Sequence, residues 1–141
     1  MKFVLINILL LIISSYLTAR EIGETEITAE EGIEVFQDEK YYLLKKNVKI
    51  LSDNFVLSGD LVKIYFDQDL YDIKNINAIG KVNLIANNQE IEAKGEKINF
   101  TIDNEEITVQ GFNSILILRT TEMLSDGKII VNNTSGSFSV N

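Results

Sequence analysis

Residues 98–109 read Ile98-Asn99-Phe100-Thr101-Ile102-Asp103-Asn104-Glu105-Glu106-Ile107-Thr108-Val109. Apolar side chains occupy every second position on both sides of an Asp-Asn pair, which places them on one face of an extended strand and turns the chain back between the two runs. This is a half-buried hairpin. Outward from it the same alternation recurs, in Val48 and Ile50, Phe55 and Leu57, Ile64 and Phe66, Val82 and Leu84, and Ile91 and Ala93 upstream. Downstream it returns in Ile115 and Ile117, Ile129 and Val131, and Phe138 and Val140. Turn-forming clusters separate the runs: Ser52-Asp53-Asn54, Asp67-Gln68-Asp69, Asn87-Asn88 and Ser125-Asp126-Gly127. The pattern predicts an all-β chain of antiparallel hairpins. No convincing amphipathic helix competes with it, because residues 29–37 would have to build one from Ile33, Val35 and Phe36, all poor helix formers.

The runs also repeat. Val48, Leu57, Ile64 and Phe66 return as Val82, Ile91, Ile98 and Phe100 at a constant offset of 34 (82 − 48), and the first three return again as Ile115, Leu124 and Val131 a further 33 on (115 − 82). Stacking equal units lays like residues above one another, so their inward faces are expected to form a continuous apolar lining. The residues in phase are Val48, Ile50, Leu57, Ile64, Phe66, Val82, Leu84, Ile91, Ile98, Phe100, Ile107, Val109, Ile115, Ile117 and Leu124. Packed core and lined groove are equally good readings of each residue taken singly.

Composition narrows the chemistry. The 141 residues suit one domain, and 45% hydrophobic content is enough for a core. With no Cys and no His, disulfides, thiol nucleophiles, the usual zinc sites and imidazole acid-base catalysis are absent, so no enzyme mechanism and no cofactor is expected. The formal charge of −8 argues against nucleic acid, which needs a basic stripe. Asp67, Asp69 and Asp72 lack the ligand series of a calcium loop and read as a hairpin turn.

The chain opens with Met1-Lys2, an apolar stretch over residues 3–13 and a small residue at Ala19 before Arg20 and Glu21. Residues 1–19 have the layout of a secretory signal peptide, residues 20–26 form a linker, and the domain covers 27–141. Retention of the same stretch as a membrane anchor is the alternative.

Several segments resemble the LptA/OstA-like lipopolysaccharide transport proteins. Ile73-Lys74-Asn75-Ile76-Asn77-Ala78-Ile79-Gly80-Lys81-Val82 is similar to that family's I-x-x-I-x-A-x-G-x-V segment. Asn47-Val48, Leu57-Ser58-Gly59-Asp60 and Ile64-Tyr65-Phe66 resemble its N-V, L-x-A-D and I-x-Y unit, and Ile107-Thr108-Val109-Gln110-Gly111 its I-x-L-x-G strand. Asp126-Gly127-Lys128-Ile129-Ile130-Val131 and Thr134-Ser135-Gly136 stand where such chains carry a last repeat and a turn. Lys46 stands where a Gly often precedes Asn-Val, Gly59 where Ala is usual, and Phe66 replaces Tyr.

The resemblance implies a twisted, open-ended β-jellyroll in the periplasm that shields the acyl chains of lipid A and bridges inner and outer membranes. It further implies LptC-like and LptD-like partners and head-to-tail self-association. Open ends leave strand edges unpaired. The expected edges are the first strand, around Ile27, Ala29, Ile33 and Val35, and the last, around Ile129, Val131, Phe138 and Val140. Glu30, Glu31 and Glu34 read either as part of that contact or as protection against it. A membrane-anchored LptC-like docking subunit and a structural β-filament without ligand are the alternative functions.

Overall fold

The computed structural model describes residues 25–70, 72–86, 90–132 and 137–141. The leader, the Asn87-Asn88 turn, the Thr134-Ser135-Gly136 turn and the side chain of Phe138 lie outside the described residues. The architecture is all-β, as the alternation predicts, and the strands form one antiparallel 11-stranded sheet. In chain order they are β1 (Glu26–Thr28), β2 (Ile33–Phe36), β3 (Tyr41–Leu51), β4 (Phe55–Phe66), β5 (Ile73–Ala86), β6 (Ile91–Thr101), β7 (Glu106–Gln110), β8 (Ser114–Leu118), β9 (Thr121–Ser125), β10 (Lys128–Asn132) and β11 (Ser137–Val140).

The four long strands β3 to β6 bend along a common line. The register between β3 and β4 shifts between Lys45 and Val48, that between β4 and β5 between Ser58 and Leu61, and that between β5 and β6 between Ile79 and Val82. Extra residues of this kind bend and twist a strand. Here they adopt left-handed backbone, with φ of 65° and 45° at Lys46 and Asn47, and 87° and 45° at Gly80 and Lys81. The bend divides the sheet into two leaves. The first contains residues 41–45, 61–66, 73–79 and 97–101, and the second 48–51, 55–58, 82–86 and 91–94. Phe55 of the second leaf meets Phe100 of the first edge-on, ring centroids 5.1 Å apart. The leaves therefore fold toward each other, and their inner faces join into one hydrophobic core.

Beyond β6 the leaves separate. β7 pairs with residues 97–101 and is followed outward by β10 and β11, whereas β8 pairs with residues 91–94 and is followed by β9. At the other end β2 closes the first leaf and β1 the second, both against β3. The free edges are thus β1 and β2 at one end and β9 and β11 at the other.

Part of the expected edge is corrected by this topology. Ile129 and Val131 belong to β10, which is hydrogen-bonded on both sides, and both are buried. The residues that reach an edge are Ile27, Ile33, Val35, Phe138 and Val140, with Ala29 in the bend between β1 and β2. Three acids on that bend and on β2 engage β3: Lys45 pairs with Glu34 at 3.1 Å, and Lys46 with Glu30 at 3.6 Å and Glu31 at 3.8 Å. All are solvent-exposed pairs worth little stability.

Candidate functional site

The inner faces are built as cross-strand rows. On the second leaf Ile27, Ile50, Leu57, Leu84, Ala93, Leu116 and Met123 stand directly opposite one another from β1 to β9. On the first leaf one row runs Val35, Tyr42, Ile64, Ile76, Phe100, Ile107 and Val131. A second runs Ile33, Leu44, Val62, Ala78, Ile98, Val109, Ile129 and Val140. Tyr42 alone in these rows carries a polar atom, and its hydroxyl donates to the carbonyl of Leu70. Ser114 is fully buried, and its hydroxyl donates to the carbonyl of Gly111 at 2.7 Å.

Mid-row residues such as Leu44, Ile64, Leu84 and Ile98 are fully covered by their neighbours, so the two leaves pack on each other. The row ends are different. Ile33 is 48% exposed and Val35 47% at one edge, and Val140 is 44% exposed at the other. The apolar rows therefore reach the open ends of the sheet.

Of the residues expected on the inner face, twelve (Val48, Ile50, Leu57, Ile64, Phe66, Val82, Leu84, Ile91, Ile98, Phe100, Ile107 and Val109) are buried in one core. The corner keeps them in phase. In β4 the inward positions are odd-numbered at Phe55 and Leu57 and even-numbered at Val62 and Ile64, because the intervening irregularity shifts the parity by one. β6 does the same between Ala93 and Ile98.

Ile115, Ile117 and Leu124 are the exceptions. They lie on the opposite face, with Leu124 64% exposed, while Ser114 and Leu116 point inward. The run Ile115-Leu116-Ile117-Leu118 is apolar at every position, so alternation gives it no phase. Its facing is set instead by the corner at Gly111 (φ 111°) and Asn113 (φ 57°) and by the bond that holds the Ser114 hydroxyl on Gly111. Sequence reasoning also passed over Leu44, Val62, Ile76, Ala78 and Leu116. Ile76 and Ala78 were legible, since Asn75 and Asn77 alternate with them. Leu44 was not, because Leu43 beside it is equally apolar.

The family model of the LptA/(LptD N-terminal domain) LPS transport protein matches residues 24–137. The chain belongs to this family. Among solved structures, sixteen chains match its fold. One is the crystal structure of LptH, the LptA homologous periplasmic component of the lipopolysaccharide transport device of Pseudomonas aeruginosa. It is 11% identical, covers 84% of this chain and 82% of its own, and superposes with a TM-score of 0.72. At that identity the likeness is one of fold. Among curated proteins none matches the sequence. The bent, two-leaved, open-ended sheet is thus the LptA-like fold, reached here with different residues at most positions.

Proposed function

We propose that this chain is a periplasmic carrier of lipopolysaccharide that holds the acyl chains of lipid A between its two leaves. Moving such a lipid through water requires hiding its tails, at roughly 0.8 kcal/mol per methylene, on the order of 10 kcal/mol for each long chain. The observation that supports the reading most is the continuity of the apolar rows. They cross every strand, meet no charged residue and end in partly exposed Ile33, Val35 and Val140. The inner face would receive the tails at Val48, Ile50, Leu57, Ile64, Phe66, Val82, Leu84, Ile91, Ile98, Phe100, Ile107 and Val109, with the leaves parting along the side away from the shared corner to admit them.

The same row ends support end-to-end assembly. Strand addition between β1 and β2 of one copy and β9 and β11 of the next would continue each row across the junction. LptC-like and LptD-like components would dock on the two open ends in the same way, bridging the membranes. Export through the leader at residues 1–19 places the chain in the compartment where that bridge is needed.

A photoreactive side chain tests the lipid site. Placed at Phe66 or Phe100 it crosslinks to lipopolysaccharide, whereas at the outward positions Lys63 or Lys97 it does not. Labelling confined to the outward set defeats the proposal. Concentration-dependent sizing with and without lipopolysaccharide tests the assembly.

A further inference from the structure

We infer that the β8–β9 hairpin is a hinged flap over the core, and that it opens as a unit to admit a lipid chain. The first observation is topological. β3 to β6 run unbroken through the corner, so in them neither leaf can move far without the other. The hairpin is different: β8 is hydrogen-bonded only to residues 91–94 of β6 and to β9, and the outer side of β9 is a free edge. The next strand, β10, rejoins the sheet on the other leaf, beside β7.

The second observation is the hinge. The chain enters the hairpin through Gly111, Phe112 and Asn113 and leaves it through Asp126 and Gly127, and these two crossings are tied together. The amide of Gly111 donates to the carbonyl of Gly127 at 3.1 Å, and the amide of Asn113 to Asp126 Oδ1 at 3.1 Å. Gly111 and Asn113 already lie in left-handed backbone, where a small change of dihedral swings everything beyond. At the far tip the hairpin is held by Arg119, whose amide donates to the carbonyl of Glu90 at 2.8 Å and whose guanidinium stands 3.7 Å from the Glu90 carboxylate. The guanidinium is largely exposed, so this is a weak latch.

The third observation is what the hairpin carries. Its inner side presents Leu116 to the core, with Leu118 and Met123 packed against the core margin. Its outer side presents Ile115, Ile117 and Leu124, with the exposed Glu122 opposite Ile117 near the tip, and Phe112 at the hinge is 70% exposed. A strand apolar on both faces, as β8 is over residues 115–118, ordinarily lies inside a structure. A flap of this composition can line an acyl chain when it swings out, whereas in the rest of the second leaf the outward rows mix Leu51, Val56 and Ile85 with Lys49, Ser58, Asn83, Glu92 and Lys94, and its inner face is held by strands that run unbroken into the first leaf.

Because the chain contains no Cys, the flap can be pinned with one engineered disulfide. Glu92 and Ile117 are direct cross-strand partners within disulfide reach, and Val56 and Ile85 are the matching pair in the unbroken part of the same leaf. In the reduced, lipid-free chain, amides of β8 and β9 are expected to exchange with solvent together and at least about ten-fold faster than those of β4 and β5. Oxidising the E92C/I117C pair slows that exchange, and oxidising V56C/I85C does not. Protection of β8 equal to that of β4 and β5 overturns the flap outright, whatever the lipid result.

The entry role rests on the lipid-carrier reading, and uptake of fluorescent lipopolysaccharide tests it separately. The expected result is at least about ten-fold slower loading of oxidised than of reduced E92C/I117C, with V56C/I85C indifferent. Equal loading by the two forms removes the entry role. Failure of every form to load counts against the carrier reading, and the exchange measurement still decides the flap.

Discussion

The carboxylate of Asp60 on β4 lies against the backbone of Gly80 on β5, so that a Cβ at position 80 would stand 2.6 Å from Asp60 Oδ2 and 2.8 Å from Asp60 Cβ. Glu96 of β6 repeats the arrangement over Gly111, with 2.7 Å and 2.8 Å to its Oε2 and Cβ. Each acid follows a glycine in its own strand and caps a left-handed glycine, Gly80 within β5 and Gly111 just after β7, where the chain turns the corner. Gly80→Ala is therefore expected to destabilise the fold by about 1–3 kcal/mol through strain and clash together. Asp60→Gly in the same chain removes the carboxylate and the Cβ that clash but leaves the strained φ of 87°. Urea unfolding of the single and double variants measures the two parts.

Facing on the second leaf gives a sharper contrast. Leu84 is fully buried in the inner row and Leu124 is largely exposed on the other side. Leu84→Ala is expected to lose about 2–5 kcal/mol and Leu124→Ala no more than about 0.5 kcal/mol. Equal losses in equilibrium unfolding would mean that β9 faces the other way.

The outer face carries an avoidable liability. The Oδ1 atoms of Asn77, Asn83 and Asn99 are buried without a hydrogen-bond partner. Asparagine is also poorly suited to a strand interior. Replacement by threonine on the central strand β5, as Asn83→Thr, is expected to stabilise the chain by about 0.5–1 kcal/mol, seen as a rise in Tm.

Lys74 joins two turns at one end of the first leaf, 3.5 Å from Asp103 and 3.4 Å from Asp72. The carboxylate of Asp103, and after it that of Asp72, raises the ammonium above the ordinary lysine value of 10.5. A raised folded-state value means the interaction is fully present below pH 10.5 and is lost as pH climbs through the folded-state pKa. Stability near neutrality is therefore insensitive to it. Asp103→Asn should lower the Lys74 titration midpoint, read by NMR of the side-chain nitrogen, and leave the neutral-pH unfolding curve nearly unchanged because the pair is exposed.

By itself the sequence determined the all-β class, the hairpin turns at Ser52–Asn54, Asp67–Asp69 and Asp103–Asn104, and the inward face wherever polar and apolar residues strictly alternate. Ile98, Phe100, Ile107 and Val109 needed nothing but their spacing, because a two-residue period fixes a face. Three things were decided only in three dimensions. The corner at Lys46–Asn47, Gly80–Lys81 and Gly111–Asn113 is a matter of backbone dihedrals and register against neighbouring strands, and no hydrophobic pattern encodes either. The facing of Ile115, Ile117 and Leu124 followed from that corner, since a run apolar at every step fits either face equally well until a hinge and a Ser114 hydrogen bond choose between them. Which strands form edges was likewise a tertiary outcome. β10 lies interior because β7 offers it a free ladder after β8 has departed to the other leaf.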